Sequence, residues 1–187
     1  MALTMNLTHQ FLIAMPTLTD PNFHRTVTYV CHHDQDGAMG IVINRPLELS
    51  LGEVLGHMEI ESSDPDINNI QVLQGGPVQT ERGFVIHEPS GNWDSVLEVN
   101  EEIGVATSRD ILSAIAKGEG PPQAVVALGY AGWGAGQLEQ EVAANAWLSS
   151  PVDKSIIFDH PYESRWESAT RLLGIDPGRI VGEAGHS

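Results

Sequence analysis

The chain has 187 residues, which is enough for one domain with a substantial apolar core. Aspartate and glutamate outnumber lysine and arginine by 25 to 9, so the formal net charge is -16. Such a charge repels a phosphate backbone, and we expect no direct binding to nucleic acid. The first residues lack the basic region of a secretory signal, and no apolar run approaches the ~20 residues of a membrane-spanning helix. We therefore expect a cytoplasmic protein without a membrane segment.

Strand-like runs dominate the first half of the chain. Three of them are apolar or β-branched and are bounded by turn residues: 11–14, 27–31 and 39–43. The dipeptide Asp36-Gly37 predicts a hairpin between the second and the third. Residues 50–58 predict a short helix, and the acidic stretch 59–69 predicts an exposed loop.

The middle of the chain continues with strands and one helix. Three further strands are predicted, at 71–73, 84–87 and 95–99. The residues Gly75-Gly76-Pro77 and a turn at 88–92 separate them. A helix begins at Thr107 or Ser108, where Thr107 and Asp110 have the spacing of a capping box, and it stops at Gly118.

The last third predicts five segments in sequence: a buried strand at 124–128, a glycine-dense turn at 129–136, a helix at 138–147, a strand at 156–158 and an amphipathic helix at 162–173. Many strands, few helices and no regular alternation of the two predict an α+β fold with a mixed, strongly curved sheet. The length predicts a single domain over residues 1–187.

The glycine-dense turn requires the backbone to pass close to another group. That group is either a ligand or a neighbouring strand that packs under Trp133. The glycine spacing after Gly129 matches neither the dinucleotide fingerprint nor a P-loop, although a helix N-terminus after the turn can bind an anion. We therefore predict a cleft here without assigning it a ligand.

The eight histidines and the one cysteine raise the question of a metal centre. His32 and His33 are adjacent on a strand and point to opposite faces, and no metal-binding spacing of His and Cys occurs. We predict neither a metal nor another cofactor. Cys31 follows Val30 within a hydrophobic strand, which indicates a buried side chain, and a single cysteine excludes an internal disulfide.

Nucleophilic catalysis would need a nucleophile, a base and a residue that orients the base. Ser108, His87 and Asp110 have these types. However, Ser108 and Asp110 are expected at a helix start whatever the chemistry, and no nucleophile elbow is present. The pattern therefore favours helix capping over a hydrolytic triad.

Two arginines are notable because basic residues are scarce. Arg45 lies in Asn44-Arg45-Pro46, at the end of a strand where Pro46 is predicted to stop the pairing. Arg109 follows Ser108 at a helix start, where a cation opposes the helix dipole. We expect Arg109 to have an acidic partner within the protein or an anionic ligand.

Together these landmarks resemble the YqgE/AlgH family of bacterial proteins over nearly the whole chain. The matching segments are 9–16, 37–46, 75–78, 82–87, 107–110, 127–133, 136–141, 145–147 and 182–186. The resemblance implies a barrel-like mixed sheet flanked by helices and a cytosolic location. It implies no established activity, catalytic residue or cofactor. One branch of the family is labelled a regulator of alginate production, but this acidic chain has no helix-turn-helix signature that would support direct DNA recognition.

Three functions compete on these grounds. The leading one is a non-enzymatic binding or regulatory module that acts through a protein partner or a small anionic ligand. The alternative is an enzyme that uses Arg45, Arg109 and His87 on an anionic metabolite, and the third is a transcriptional regulator in direct contact with DNA. The ligand-binding candidates are Asn44, Arg45, Gly75, Gly76, Pro77, His87, Ser108, Arg109, Gly129 and Trp133.

Overall fold

The computed structural model describes residues 6–88 and 93–174. Most of the turn predicted at 88–92 lies outside these ranges, and so does the tail segment 182–186. Among the described residues, no helix is long and apolar enough to cross a membrane.

Strands form most of the regular structure. The described strands are β1 Gln10–Ala14, β2 Val27–Asp34, β3 Gly37–Val42, β4 Pro46–Ser50, β5 Gln71–Gln74, β6 Val78–Glu88, β7 Val96–Glu98, β8 Gly104–Ala106, β9 Gln123–Gly134 and β10 Trp147–Pro151. The described α-helices are α1 Leu51–His57, α2 Pro65–Asn68, α3 Arg109–Ala116, α4 Gln137–Ala143, α5 Lys154–Phe158 and α6 Arg165–Leu172. A 3-10 helix, Tyr162–Ser164, precedes α6.

The strands form one mixed sheet that curls into a half-barrel. Its main path is antiparallel, in the order β10-β1-β2-β3-β9-β6-β8-β7, and β5 joins β9 in parallel with β4 beside it. The long strand β9 pairs with β6 along its first part and with β3 at its end. The α+β class and the mixed, strongly curved sheet predicted from the sequence are confirmed.

Both faces of the sheet are covered, and alternate strand residues enter different cores. On β1, Phe11 and Ile13 join a core beneath α5 and α6, whereas Leu12 joins a core that contains Leu138 of α4. A third core lies between β6, β9 and the helices α1 and α3. Each fully buried Leu, Ile or Phe contributes about 1.5–3 kcal/mol relative to an exposed position. The third core holds α3, the helix that begins with the candidate residue Arg109.

The prediction of a strand at 156–158 is wrong, because these residues belong to α5. The Asp153 carboxylate accepts the Ser155 N–H at 3.0 Å and caps the helix, and Ile156 and Ile157 are buried. Periodicity cannot separate so short an apolar run from a strand.

The glycine-dense stretch 129–136 is mostly strand rather than turn. It continues β9 as far as Gly134, because residues 131–134 pair with residues 37–40 of β3. The following helix was predicted to reach residue 147, but α4 ends at Ala143 and Trp147 begins β10.

Three local predictions also need correction. Pro46 begins β4 rather than stopping the pairing, since it lies opposite Leu73 of β5. The stretch 59–69 contains the short helix α2, which Asp64 caps. Thr107 forms no capping box, because Ser108 is the N-cap of α3. A capping box occurs instead at α1, where Ser50 and Glu53 form it.

Candidate functional site

The two glycine motifs of the sequence meet in space. Gly75 N–H donates to the Leu128 carbonyl oxygen at 2.7 Å, and its own carbonyl oxygen accepts from Val42 at 2.8 Å. A Cβ on Gly76 would collide with the backbone of Tyr130, and one on Gly75 would collide with the Gly129 carbonyl oxygen. Close approach of two strands therefore explains these glycines, and ligand binding by them stays a prediction.

Trp133 is buried and belongs to a carboxylate-centred network. The indole nitrogens of Trp133 and Trp147 both donate to Oε1 of Glu141, at 3.1 and 2.9 Å. Gln137 donates to the other oxygen of Glu141 at 2.9 Å, and Phe23 stacks on Trp133 with ring centroids 6.2 Å apart. This network fastens α4 to β9 and β10.

Asn44 and Arg45 hold the loop that precedes β2. The Asn44 side chain accepts the Val27 N–H and donates to the Arg25 carbonyl, both at 2.9 Å. The Arg45 guanidinium donates to the carbonyl oxygens of Pro21 and His24, at 2.6 and 2.9 Å. Partial burial lowers the pKa of Arg45, and nearby Asp20 opposes that shift. Both residues are bonded to backbone.

Arg109 lies at the first position of α3, and its guanidinium reaches the end of another helix. It donates to the carbonyl oxygens of Met58 and Glu59, just beyond α1. A cation is favourable there because the C-terminal carbonyls of a helix carry partial negative charge. Within the protein the partner is thus a pair of carbonyl groups rather than an acidic side chain, and an anionic ligand of Arg109 stays a prediction.

Of the three residues of a possible triad, Ser108 and Asp110 are in contact, whereas His87 lies apart from them. His87 pairs with Gly104 across β6 and β8. Ser108 comes four residues after Gly104, beyond the end of β8, and the antiparallel pairing carries the chain away from His87. Four residues of extended chain span about 13 Å, so His87 is too far to act as a base for Ser108. The Ser108 hydroxyl donates to Asp110 instead and accepts the Ser95 N–H at 3.1 Å.

Most of the described basic residues have internal partners. Arg25 lies 4.4 Å from the ring centroid of Trp166, and Lys154 pairs with Glu88 and Glu102 at 3.3 Å. Arg165 is buried and donates to the His160 and Ile43 carbonyl oxygens at 3.0 and 2.7 Å. Burial lowers the pKa of Arg165 to about 10. Few cations in the described part of the chain are therefore left to meet a ligand.

Arg82 differs from these residues, because it lines a surface cleft of about 510 Å³. We call this the Arg82 cleft; its lining residues are Pro77, Gln79, Thr80, Glu81 and Arg82. The guanidinium donates to Oε1 of Gln79 at 3.3 Å and to the Thr107 hydroxyl at 3.4 Å. Thr107 is in turn 3.0 Å from the hydroxyl of Ser95. The guanidinium also lies 5.6 Å from the ring centroid of Phe84, and long hydrogen bonds to neutral groups leave its donors available.

The described residues contain no group of three His, Cys, Asp or Glu side chains that could hold a metal ion. Cys31 is fully buried, and burial raises the pKa of its thiol, which keeps the thiol protonated at neutral pH. His33 is buried and His32 is exposed, as their positions on one strand predicted.

Comparison with known proteins identifies the family. The model of a family described as AlgH-like matches residues 11–178. This chain belongs to the AlgH-like family. It is similar to UPF0301 proteins of Nitrosococcus oceani, at 55% identity over 96% of both chains, and of Thioalkalivibrio sulfidiphilus, at 57% identity over the full length of both.

One solved structure agrees with the AlgH-like assignment, and a second shares the fold. The solution structure of AlgH from Pseudomonas aeruginosa is 48% identical and superposes with a TM-score of 0.81, covering 100% of this chain and 99% of that one. Protein DIP2367 from Corynebacterium diphtheriae is 17% identical with a TM-score of 0.71, covering 91% and 89%, which shows a shared fold alone.

The Arg82 cleft of this AlgH-like chain was missed among the candidate residues. It forms because the register between β6 and β9 shifts. Val78 pairs with Tyr130 and Gly83 pairs with Leu128, so β6 advances five residues where β9 advances two. The surplus residues bulge outward, and Gln79 adopts a φ of 48°. The available signal was a polar run at 79–82 that interrupts the apolar alternation of the strand.

Of the predicted site residues, Pro77 lines the Arg82 cleft, and Ser108 directly follows Thr107 beside it. Gly76 and Gly129 lie next to each other beneath the same part of the sheet. Asn44, Arg45, His87 and Arg109 make their contacts with other parts of the chain, as described above. Whether any of the ten binds a ligand stays a prediction.

Proposed function

We propose that this AlgH-like chain is a non-enzymatic binding module that takes an anionic group at the Arg82 cleft. The observation that supports this most is the state of Arg82. Its guanidinium is exposed, lines a cleft, donates to two neutral groups at 3.3 and 3.4 Å, and lies 5.6 Å from the ring centroid of Phe84. A guanidinium presents a planar fork of donors that fits carboxylate and phosphate groups.

The surroundings of Arg82 add donors to that fork. The Thr107 and Ser95 hydroxyls lie in one chain of contacts with it, and the Gln79 amide is within hydrogen-bond distance. A bound anion would replace these long bonds with shorter, charge-assisted ones. Glu81 also lines the cleft and opposes a bound anion, so we expect moderate affinity.

Several features favour a binding module over an enzyme. An enzyme that uses Arg45, Arg109 and His87 needs them in one site, whereas both arginines donate to backbone carbonyls of separate loops. The Ser108 hydroxyl donates to Asp110 and lies far from His87. The scarcity of uncommitted cations likewise supports our expectation of no direct contact with DNA.

The regulatory part of the proposal is that a protein partner binds the cleft with different affinity when the anion is bound and when it is absent. The cleft is formed by an outward bulge of β6, with residues 79–82 all exposed. A partner could therefore contact the bulge and the bound anion together. We retain a cytoplasmic location as a prediction.

The test is a calorimetric and thermal-shift screen with inorganic phosphate, phosphorylated metabolites and carboxylic acids. A ligand at 100 times its dissociation constant raises the free energy of unfolding by about 2.7 kcal/mol. We expect Arg82→Gln to abolish the shift and Arg82→Lys to retain only part of it. Glu81→Gln should increase affinity, because it removes the opposing carboxylate.

The matched control is Arg171→Gln, which removes another exposed arginine, on α6. It should leave binding unchanged. Equal loss in Arg82→Gln and Arg171→Gln would indicate a general charge effect and contradict a site at the cleft. Absence of binding by every anion tested would contradict the anionic ligand itself.

A further inference from the structure

The first described residues of the chain are fastened to β2 through one buried histidine. Leu7 N–H donates to Nδ1 of His33 at 3.0 Å, and His33 N–H donates to the Thr8 hydroxyl at 2.9 Å. Two residues on, His9 N–H donates to the Val30 carbonyl oxygen at 2.9 Å. Leu7 is buried in the core shared with α4.

These bonds determine which nitrogen of His33 carries the proton. Since Leu7 N–H donates to Nδ1, Nδ1 must present a lone pair, and the proton of the neutral ring lies on Nε2. Nε2 is 3.1 Å from Oε1 of Glu139 on α4, to which it donates. The imidazole has no exposed surface, whereas 34% of the Glu139 side chain is exposed. In its neutral form, the ring thus links the N-terminal segment to α4.

Protonation of His33 would have opposite effects on the two hydrogen bonds of its ring. A proton on Nδ1 turns that nitrogen into a donor, so that it faces the Leu7 N–H donor and the bond is lost. The bond from Nε2 to Glu139 would become charge-assisted and stronger. Protonation of His33 therefore breaks its bond to Leu7 and strengthens its bond to Glu139 of α4.

Among the described residues, few charged and titratable groups lie around His33. Glu139 is the one that its ring contacts, and Ala38, its partner on β3, carries no charge. The exposed pair of His32 and Asp34 lies on the opposite side of β2 at 2.7 Å. In the N-terminal segment, the titratable residue is His9, whose ring contacts the Tyr29 hydroxyl at 2.8 Å.

We propose that residues 6–8 form a proton-operated latch, closed when His33 is neutral and opened when its Nδ1 is protonated. His9 remains the hinge, because its N–H bond to Val30 does not involve an imidazole nitrogen of His33. Opening withdraws Leu7 from the core and uncovers the apolar side chains beside it, Leu12 and Leu138 among them. The surface near α4 would therefore respond to acidification.

The test is hydrogen exchange of the Leu7 amide between pH 5 and pH 8, corrected for the intrinsic pH dependence of exchange. We expect protection to be at least tenfold lower at pH 5 than at pH 8, because a proton on Nδ1 removes the acceptor of the Leu7 N–H. The nitrogen chemical shifts of His33 at pH 8 should report the tautomer with the proton on Nε2. Constant protection, or a proton on Nδ1 at pH 8, would overturn the proposal.

Two variants separate the latch from general acid sensitivity. His33→Asn places an amide oxygen close to the position of Nδ1, which accepts at every pH, so protection of Leu7 should no longer depend on pH. Glu139→Gln removes the charge that favours the protonated ring, so opening should move to lower pH. Should His33→Asn fail to fold, the direction of the Glu139→Gln shift still decides, and an upward shift or none would overturn the proposal.

The matched control is His32→Asn, on the same strand but exposed. It should keep the pH profile of the unaltered protein. A profile that changes in His32→Asn as much as in His33→Asn would assign the effect to the surface pair and overturn the latch.

Discussion

Glu141 and Arg82 are both charged side chains beside β9, and both have neutral partners, but their surroundings differ. Glu141 accepts from two buried indoles and one amide at 2.9–3.1 Å. Arg82 is exposed and donates at 3.3 and 3.4 Å to a side-chain amide and a hydroxyl. Short bonds in a half-buried network mark a charge that holds the fold, whereas long bonds at a cleft mark one that can exchange partners.

The largest loss of stability should come from replacing Gly76, whose backbone lies against that of Tyr130 near the Arg82 cleft. Gly76→Ala places a methyl group against the backbone of Tyr130, which cannot move without breaking the pairing of β6 and β9. We expect a loss of about 3 kcal/mol in the free energy of unfolding, measured by urea denaturation. Gly136→Ala is the control, because its methyl group would meet no atom within 4 Å. Its cost should be about 1 kcal/mol, from backbone conformation alone. Equal losses would contradict the close approach.

Removing the carboxylate of the Trp network should be the next largest effect. Glu141→Ala leaves the indole nitrogens of Trp133 and Trp147 without their acceptor, and we expect a loss of about 2–3 kcal/mol. Glu141→Gln keeps an acceptor oxygen and should lose less. Gln140→Ala, exposed on the same helix, is the control and should change stability by under about 0.5 kcal/mol. If Glu141→Ala behaves like this control, the network does not hold α4.

The loss of stability on replacing Arg109 should lie between the losses expected for Glu141 and Arg82. Arg109→Ala removes the donors to the Met58 and Glu59 carbonyl oxygens at the end of α1, and we expect a loss of about 1 kcal/mol in thermal or urea unfolding. Arg109→Lys should recover part of this loss, since an ammonium group also suits a helix C-terminus. A lysine variant less stable than the alanine variant would argue against the helix-end interaction.

The smallest effect on stability is expected at Arg82 itself. Arg82→Ala should change the free energy of unfolding by less than about 0.5 kcal/mol, because its partners are exposed and distant. Measured beside Glu141→Ala, this variant sharpens the contrast between a structural charge and an available one. A loss above 1 kcal/mol would assign Arg82 to the fold and weaken the proposed binding role.

Local patterns predicted much of the fold. The strands at 27–31 and 39–43 with the Asp36-Gly37 hairpin, and the helix ending at Gly118, follow from propensity and turn chemistry, and the structure confirms them. Local patterns failed where distant pairing decides the outcome. The glycine-dense segment after Leu128 became strand because β3 supplies a partner from about ninety residues away.

The same limit applies to the candidate site. The sequence singled out Arg45 and Arg109 as scarce cations, but their carbonyl partners lie on separate loops that only the fold brings near. Arg82 was passed over because its cleft depends on a mismatch in register between β6 and β9, which no local spacing encodes. Residue types were therefore readable from the sequence, whereas their availability was not.

The pairing of β1 with β10 bears on how the protein is made. Phe11 lies opposite Ser150, so the pairing of these two strands closes a loop of about 140 residues. Closing such a loop costs about 4 kcal/mol in chain entropy. During synthesis, β1 leaves the ribosome long before its partner exists, and its unpaired edge could join the strands of other nascent chains. We therefore expect that chaperone binding to the growing chain ends once residue 151 has emerged.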